Sequence, residues 1–206
     1  MLERFRQFWT NVFKPISHLL MKSGVSPNTV TIVGTIGVVA GALVFFPQGE
    51  LWIGVLVITV FAFADLIDGY MARMLGTSSR WGAFLDSTLD RFGDAAVFAG
   101  LALWFFGGGD DRLLGEVALW ALVMGSVTSY ARAKAESLGM QAKGGIAERA
   151  DRLVSVLAVT FFADLLDLPI LLTITLWTLA LASTITVVQR VLLVRRQALA
   201  DPALPT

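Results

Sequence analysis

The 206-residue sequence contains no cysteine, one histidine and few charged side chains. The absence of cysteine excludes disulfide bonds, thiolate metal sites and cysteine nucleophiles. Charged residues make up 16% of the chain and hydrophobic residues 56%, whereas soluble domains carry about 25% charged residues. Basic and acidic residues number 16 each, so the net charge is zero and no basic field attracts nucleic acid. These deficits indicate an integral membrane protein.

Six apolar segments approach the length of about 20 residues that a helix needs to cross a bilayer. We therefore predict an all-α integral membrane protein with six transmembrane helices. The stretches between the segments are rich in glycine, proline and aspartate, which are typical of turns. The predicted spans are residues 30–46, 51–74, 83–106, 114–133, 153–168 and 171–194.

The N-terminal residues differ from the spans because their apolar side chains recur every three or four residues among basic ones. This periodicity predicts an amphipathic helix that lies in the membrane interface. The continuous apolar core and the cleavage site of a signal peptide are both missing. We expect residues 1–25 to form this juxtamembrane helix, residues 26–196 the transmembrane domain and residues 197–206 a cytoplasmic tail.

The neutral total conceals a separation of charge between the two ends of the predicted spans. With both termini on one side, every basic residue except Arg112 lies on or near that side. The other side collects acidic residues such as Glu50 and Asp110. The positive-inside rule assigns the basic side to the cytoplasm. We therefore predict a multi-pass protein of the cytoplasmic membrane with both termini in the cytoplasm.

Four aspartates lie inside or at the cytoplasmic edge of the second and third spans, where a carboxylate costs about 2.5–3.5 kcal/mol to insert. Asp65 and Asp68 are three residues apart, and Asp86 and Asp90 are four apart, so each pair shares one helix face. A short loop lets the two faces meet, and the carboxylates would then repel one another without a cation. Because oxygen ligands suit Mg²⁺ or Mn²⁺ rather than Zn²⁺, we predict a divalent metal site.

The sequence from Asp65 to Asp90 reads D-x2-D-G-x2-A-R-x8-G-x3-D-x3-D without a gap or substitution. It resembles the defining motif of the CDP-alcohol phosphatidyltransferase family, and the predicted spans and N-terminal helix are also similar to that family. The resemblance implies that an alcohol attacks the β-phosphorus of a CDP-linked lipid, that CMP leaves and that a phosphodiester forms. It also implies a homodimer.

The aspartates of the motif suit this chemistry in different roles. We assign Asp65, Asp68 and Asp86 as metal ligands. Asp90, one turn further along the helix, is the candidate general base for the acceptor hydroxyl and a further candidate metal ligand. Asp94 lies outside the motif, so its function stays open between bonding a neighbouring helix or Arg91 and a role in the site.

Residues with small side chains flank the aspartates and leave room for a nucleotide. Gly69 and Ala72 would let a flat nucleotide press against the second span. Arg73 either pairs with a phosphate or anchors the helix at the membrane surface. Asn28 and Thr29 begin the first span at a similar height, where capping of the helix explains them equally well. The expected contacts of the CDP-lipid are Asp68, Gly69, Ala72, Arg73, Gly82, Asn28 and Thr29.

Basic residues gather at the cytoplasmic ends of the last three spans, where they suit an acceptor that carries a phosphate. The segments SYARAKAE, residues 129–136, and GGIAERADR, residues 144–152, resemble those of the actinobacterial phosphatidylinositol phosphate synthases within the family. Those members join CDP-diacylglycerol to inositol 1-phosphate. The resemblance therefore implies these two substrates here.

The same resemblance implies an acceptor pocket formed by one serine and three basic residues. These positions correspond to Ser129, Arg132, Arg152 and Arg190. Arg132 stands where the family has a lysine, so Lys134 is the alternative equivalent. For Arg190, the alternative is an anchor that extends to the membrane surface.

Two other functions stay open at this point. Phosphatidylglycerophosphate synthase, with glycerol 3-phosphate as acceptor, would use the same arginines because both acceptors are phosphomonoesters. A small membrane transporter or ion channel would need polar residues through the full depth of the membrane, and the extracytoplasmic halves of the spans are almost uniformly apolar. We therefore expect CDP-diacylglycerol, inositol 1-phosphate and membrane lipids as partners, and no nucleic acid.

Overall fold

The computed structural model describes residues 2–77, 79–146 and 148–200, with side chains from residue 12 onward. Within these ranges the chain is helical and has no β-strand. The predicted tail is helical as far as residue 200, and its residues 201–206 lie outside the described residues. The helices are α1 (Leu2–Lys22), α2 (Pro27–Ala40), α3 (Leu51–Ala62), α4 (Ala64–Met74), α5 (Arg80–Phe106), α6 (Arg112–Ser137), α7 (Arg149–Leu165) and α8 (Pro169–Ala200).

Four helical segments in the described part of the chain are long and apolar enough to cross a membrane. The described residues therefore form an all-helical structure with four candidate membrane spans. The predicted third and fifth spans correspond to α5, which carries charged residues along its first half, and to α7, which has 17 residues. These two spans stay predictions. The candidate spans are Pro27–Gln48, Leu51–Met74, Arg112–Ser137 and Pro169–Ala200.

The first candidate span begins with a cap that its sequence encodes locally. The Ser26 hydroxyl accepts a hydrogen bond from the backbone N–H of Thr29 at 3.1 Å, and Pro27 occupies the first helical position. Both features are typical of helix N-termini. The span continues beyond α2 through a π-helical turn, Gly41–Phe45, and a 3₁₀ turn, Phe46–Gln48.

A single residue, Phe63, separates α3 from α4 within the second candidate span. Its ψ of −13° lies outside the α-helical range, and the N–H groups of Leu66 and Ile67 both point to its carbonyl at 3.1 and 3.3 Å. The break therefore lies immediately before the first aspartate of the motif, and Asp65 falls in the first turn of a new helix.

The chain forms two compact units. The first comprises Met1–Phe45 and Ile53–Val97, and the second comprises Phe46–Trp52 and Phe98–Thr206. In the first unit, α4 packs against α1 and α2. In the second unit, α8 packs against α6 and α7. The motif aspartates thus belong to the first unit and the predicted acceptor residues to the second.

Glycines allow α2 to approach the second candidate span closely. A Cβ atom at Gly34 would overlap the Cβ of Ala64 and lie 3.2 Å from the carbonyl oxygen of Phe61. A Cβ at Gly37 would overlap the ring of Phe61. Small residues at such contacts let membrane helices pack backbone against backbone. This packing holds the start of α2 beside the aspartates of α4.

We expect Gly34→Ala to lower the stability of the protein by about 1–3 kcal/mol, because the added methyl group overpacks a rigid contact. Gly93→Ala is the matched control, since its methyl group would lie 3.5 Å from Val38 Cγ1, an ordinary contact. Alanine also has the higher helix propensity, so this variant should be as stable as the parent or more so. Thermal unfolding in detergent measures both, and equal stability of the two variants would contradict the close packing.

Candidate active site

Three carboxylates of the motif converge in the first unit. Asp65 and Asp68 on α4 and Asp86 on α5 each offer one oxygen, and these oxygens all lie within 4.8 Å of one another. Asp68 is buried, whereas Asp65 and Asp86 are exposed. Three negative charges this close repel unless a cation joins them. A donor set made only of carboxylate oxygens fits a hard divalent ion such as Mg²⁺ or Mn²⁺.

The buried carboxylate has a partner on another helix. The Thr31 hydroxyl of α2 donates a hydrogen bond to Asp68 Oδ2 at 2.5 Å, and both residues are buried. A buried carboxylate needs such a bond, because burial without one is costly. Thr31 was not among the site residues predicted from the sequence. A polar side chain inside an apolar span was the available signal, but its partner lies 37 residues further along the chain.

Asp90, the fourth predicted ligand, lies outside the group of three carboxylates. It follows Asp86 by one turn of α5, and its charge acts on Asp68. Its carboxylate lies 3.9 Å from Arg91 Nη2, while Asp94 lies 3.7 Å from Arg91 Nη1. Arg91 therefore has an acidic side chain on either side. Both aspartate side chains are mostly buried, at 19% and 16% exposed.

Arg73 is close to the glycine that precedes it by one turn. A Cβ at Gly69 would lie 3.4 Å from Arg73 Nη1, so the guanidinium group folds back along α4 over this position. Ala72, next to Arg73, is half-buried. The guanidinium thus lies on the same helix as Asp65 and Asp68, where it can meet a negatively charged ligand.

Gly82 brings the start of α5 close to the start of α2. A Cβ at Gly82 would lie 3.5 Å from Asn28 Oδ1. The Gly82 N–H donates to Ser79 Oγ at 3.0 Å, which caps α5. Thr29, by contrast, has its hydroxyl 2.8 Å from that of Ser26 within the cap of α2. Of the two predicted residues in α2, Asn28 is therefore the one that reaches the motif.

Two buried arginines converge on α6 in the second unit. Arg152 on α7 is 3% exposed and Arg190 on α8 is 4% exposed. Arg152 Nη2 donates to the Gly125 carbonyl at 3.4 Å, and Arg190 Nη1 donates to the Thr128 carbonyl at 2.6 Å. The burial of Arg190 argues against an anchor, because an anchoring arginine extends its guanidinium into water.

Ser129 and Arg132 lie on the same face of α6 as these carbonyls. The Ser129 hydroxyl donates to the Gly125 carbonyl at 3.3 Å, which Arg152 also contacts. Arg132 is partly exposed and pairs with Glu136, with its Nε 3.0 Å from Oε1. Lys134 follows Arg132 by two residues, which is about 200° around the helix, so it projects from another face. The four predicted acceptor residues therefore gather around one segment of α6.

The comparisons with known proteins agree with the motif. The model of the CDP-alcohol phosphatidyltransferase family matches residues 24–182. A phosphatidylinositol phosphate synthase from Cutibacterium acnes is 54% identical over 203 residues, which cover 95% of this chain and 98% of that protein. A phosphatidylinositol phosphate synthase from Streptomyces avermitilis is 51% identical over 204 residues, which cover 96% of this chain and 84% of that protein.

Solved structures of known proteins also resemble this chain. The chain resembles two crystal structures of Mycobacterium tuberculosis phosphatidylinositol phosphate synthase, each with a TM-score of 0.85. The structure with CDP-DAG bound is 42% identical and covers 89% of this chain and 94% of that chain. The structure in complex with manganese and citrate is 41% identical and covers 93% of this chain and 91% of that chain. Because the family match spans most of the sequence and contains every position of the motif, this chain belongs to the CDP-alcohol phosphatidyltransferase family.

Proposed function

We propose that the protein transfers the phosphatidyl group of CDP-diacylglycerol to inositol 1-phosphate, giving phosphatidylinositol phosphate and CMP. The observation that carries the choice of a phosphorylated acceptor is the pair of buried arginines, Arg152 and Arg190. A free alcohol offers no negative charge for these guanidinium groups to bind. The high identity to synthases of phosphatidylinositol phosphate favours inositol 1-phosphate among the phosphorylated acceptors.

Asp65, Asp68 and Asp86 would hold the divalent cation, with Asp90 as the further candidate ligand. Bound Mg²⁺ or Mn²⁺ would neutralise the negative charge of the pyrophosphate and of the departing CMP. The hydrogen bond from Thr31 holds the Asp68 carboxylate in place. We propose that the CDP-lipid contacts Asp68, Gly69, Ala72, Arg73, Gly82, Asn28 and Thr29.

The reaction itself is one displacement at phosphorus. The acceptor hydroxyl oxygen attacks the β-phosphorus, which carries the diacylglycerol, and a new phosphorus–oxygen bond forms. The bond from this phosphorus to the CMP oxygen breaks, and CMP keeps the electron pair. The proton of the acceptor hydroxyl passes to the Asp90 carboxylate. Arg91, which lies between Asp90 and Asp94, holds this carboxylate in position.

Ser129, Arg132, Arg152 and Arg190 would bind the phosphate of the acceptor. Guanidinium groups suit this task because their planar donors match phosphate oxygens. Arg132 is partly exposed in its pair with Glu136, and an exposed ion pair contributes only about 0–1 kcal/mol. Arg132 can therefore exchange Glu136 for the phosphate at little cost.

We propose that the chain crosses the cytoplasmic membrane six times, with both termini and the active site in the cytoplasm. Residues 1–25 would lie in the interface, residues 26–196 would form the transmembrane domain and residues 197–206 the tail. The face of α1 formed by Val12, Ile16 and Leu19 is exposed, which supports contact with lipid.

In sealed inside-out vesicles the membrane-impermeant acceptor should react when added outside. Activity only in right-side-out vesicles would contradict this orientation.

A homodimer completes the proposal, and the family resemblance is its support. Crosslinking in native membranes should give a species of twice the monomer mass. A monomer under all crosslinking conditions would contradict it.

Membership of an enzyme family leaves no support for the transporter or channel. Phosphatidylglycerophosphate synthase is the alternative within the family, because glycerol 3-phosphate presents the same phosphate to the arginines.

Product analysis tests the proposed function. Purified protein with labelled CDP-diacylglycerol and Mg²⁺ should form phosphatidylinositol phosphate and release CMP when inositol 1-phosphate is supplied. Parallel reactions with glycerol 3-phosphate and with inositol should give little product. A product from glycerol 3-phosphate alone would establish the alternative.

EDTA should stop the reaction and added Mn²⁺ should restore it, whereas turnover in EDTA would contradict the role of the carboxylates.

Asp90→Asn should lower kcat by about 10²–10⁴, the usual contribution of a general base, while the protein still inserts in the membrane. Asp94→Asn is the matched control, since Asp94 lies one turn further along α5 and contacts the same arginine. It should keep most of the activity. CMP release at saturating substrates measures both variants, and equal losses would contradict the assignment of Asp90 as the base.

Arg190→Gln should raise the KM for inositol 1-phosphate by about 10–100-fold, because a hydrogen bond to a charged group contributes about 1.5–3 kcal/mol. The KM for CDP-diacylglycerol should change little. Arg195→Gln, an exposed position on the same helix, should leave both constants unchanged. Steady-state kinetics with each substrate varied separates these cases. Equal increases in both KM values for Arg190→Gln would indicate a structural arginine.

A further inference from the structure

Three side chains of α8 bind the backbone of the loop that joins α6 to α7. Thr186 Oγ1 accepts the N–H of Ile146 at 3.1 Å, and Arg190 Nε donates to the Gly144 carbonyl at 3.1 Å. Gln197 binds Gln141 twice. Its Oε1 accepts the Gln141 N–H at 2.9 Å, and its Nε2 donates to the Gln141 carbonyl at 2.6 Å.

The spacing of these contacts shows that the loop lies extended along the helix. Thr186, Arg190 and Gln197 fall within about 40° of one another around α8. Thr186 and Gln197 are 11 residues apart, which is about 16 Å along the helix axis. Their partners, Ile146 and Gln141, are only five residues apart, and five residues reach about 17 Å when fully extended. The loop therefore runs along α8 between these contacts, which tie it to the helix at both ends.

Glycine is required where the loop passes over Thr186. Gly144 has a φ of +93° and Gly145 a φ of +135°, and L side chains rarely adopt such values. A Cβ at Gly145 would also overlap the Thr186 side chain. These conformations direct the Gly144 carbonyl onto Arg190. The position of this carbonyl thus depends on how the extended loop is held at its two ends.

The loop in turn fixes the guanidinium of Arg190. Its Nε binds the Gly144 carbonyl on the loop, and its Nη1 binds the Thr128 carbonyl on α6. Two bonds at different nitrogens set the plane of the group. A guanidinium has five N–H donors, and these two are the ones used within the described part of the chain. The other three therefore point in directions that the loop and α6 determine together.

We propose that Gln197 is a positioning residue for the acceptor phosphate. By binding Gln141, it keeps the loop extended and the Gly144 carbonyl on Arg190, which presents the remaining donors to the ligand. Gln197 is seven residues beyond Arg190, about 10 Å along the helix, so it acts through the loop. This inference rests on the proposed function in one respect, namely that Arg190 binds the phosphate of the acceptor.

Gln197→Ala should raise the KM for inositol 1-phosphate about tenfold, which corresponds to about 1.4 kcal/mol. The KM for CDP-diacylglycerol should stay within about twofold of the parent, because Arg190 is proposed to bind the acceptor and not the CDP-lipid. Gln197→Glu keeps the size of the side chain and one acceptor, but it cannot donate to the Gln141 carbonyl when ionised, so it should show the same selective effect. Gln189→Ala, an exposed glutamine on α8, should match the parent.

A double-mutant cycle with Arg190→Gln separates positioning from a general structural role. If Gln197 acts through Arg190, Gln197→Ala should have no further effect on the acceptor KM in the Arg190→Gln background. An additional tenfold rise there, or equal rises in both KM values for Gln197→Ala and Gln197→Glu, would overturn the proposal. A selective effect of Arg190→Gln with none from either Gln197 variant would overturn it while leaving the proposed function intact. No selective effect of Arg190→Gln would instead refute the proposed role of Arg190.

Discussion

Among the side chains that the structure describes, each buried charged group has a polar partner, and the arrangement of the helices depends on these pairings. An unpaired charge in a low-dielectric interior costs several kcal/mol. Asp68 is compensated by the hydroxyl of Thr31, and Arg152 and Arg190 are compensated by carbonyls of α6. Each partner lies on a different helix. The requirement to hydrogen-bond the buried charged groups therefore helps to hold α2 on α4 in one unit, and α7 and α8 on α6 in the other.

Glycines make these pairings possible by letting backbones and charged groups approach one another. Gly34 allows α2 to reach α4, which brings Thr31 within reach of Asp68. A Cβ at Gly125 would lie 3.2 Å from Arg152 Nε, so the guanidinium rests against the bare backbone there. Gly145 allows the loop to pass over Thr186. At each of these glycines, the absence of a side chain leaves the room that a polar contact nearby requires.

The convergence of Asp65, Asp68 and Asp86 could be predicted from the sequence because the information for it is local. Asp65 and Asp68 share a helix face by their spacing, and the short connection to α5 brings Asp86 to them. Asp90 follows one turn later, about 5 Å along the axis, which is far enough to leave the group of three and pair with Arg91. The six predicted spans are less well supported, since the charges of α5 and the shortness of α7 reduce their apolarity.

By itself the sequence determined the helical character of the chain, the cap at Ser26, the motif and hence the family, because helical periodicity and capping involve residues within a few positions of each other. Only the tertiary structure decided which groups meet between helices. Thr31 bonds a carboxylate 37 residues away, and Gln197, which the sequence assigned to the tail, binds a loop 56 residues earlier. Such contacts depend on the rotation and crossing of packed helices. Periodicity along one helix shows which face is buried but does not indicate the residue that faces it.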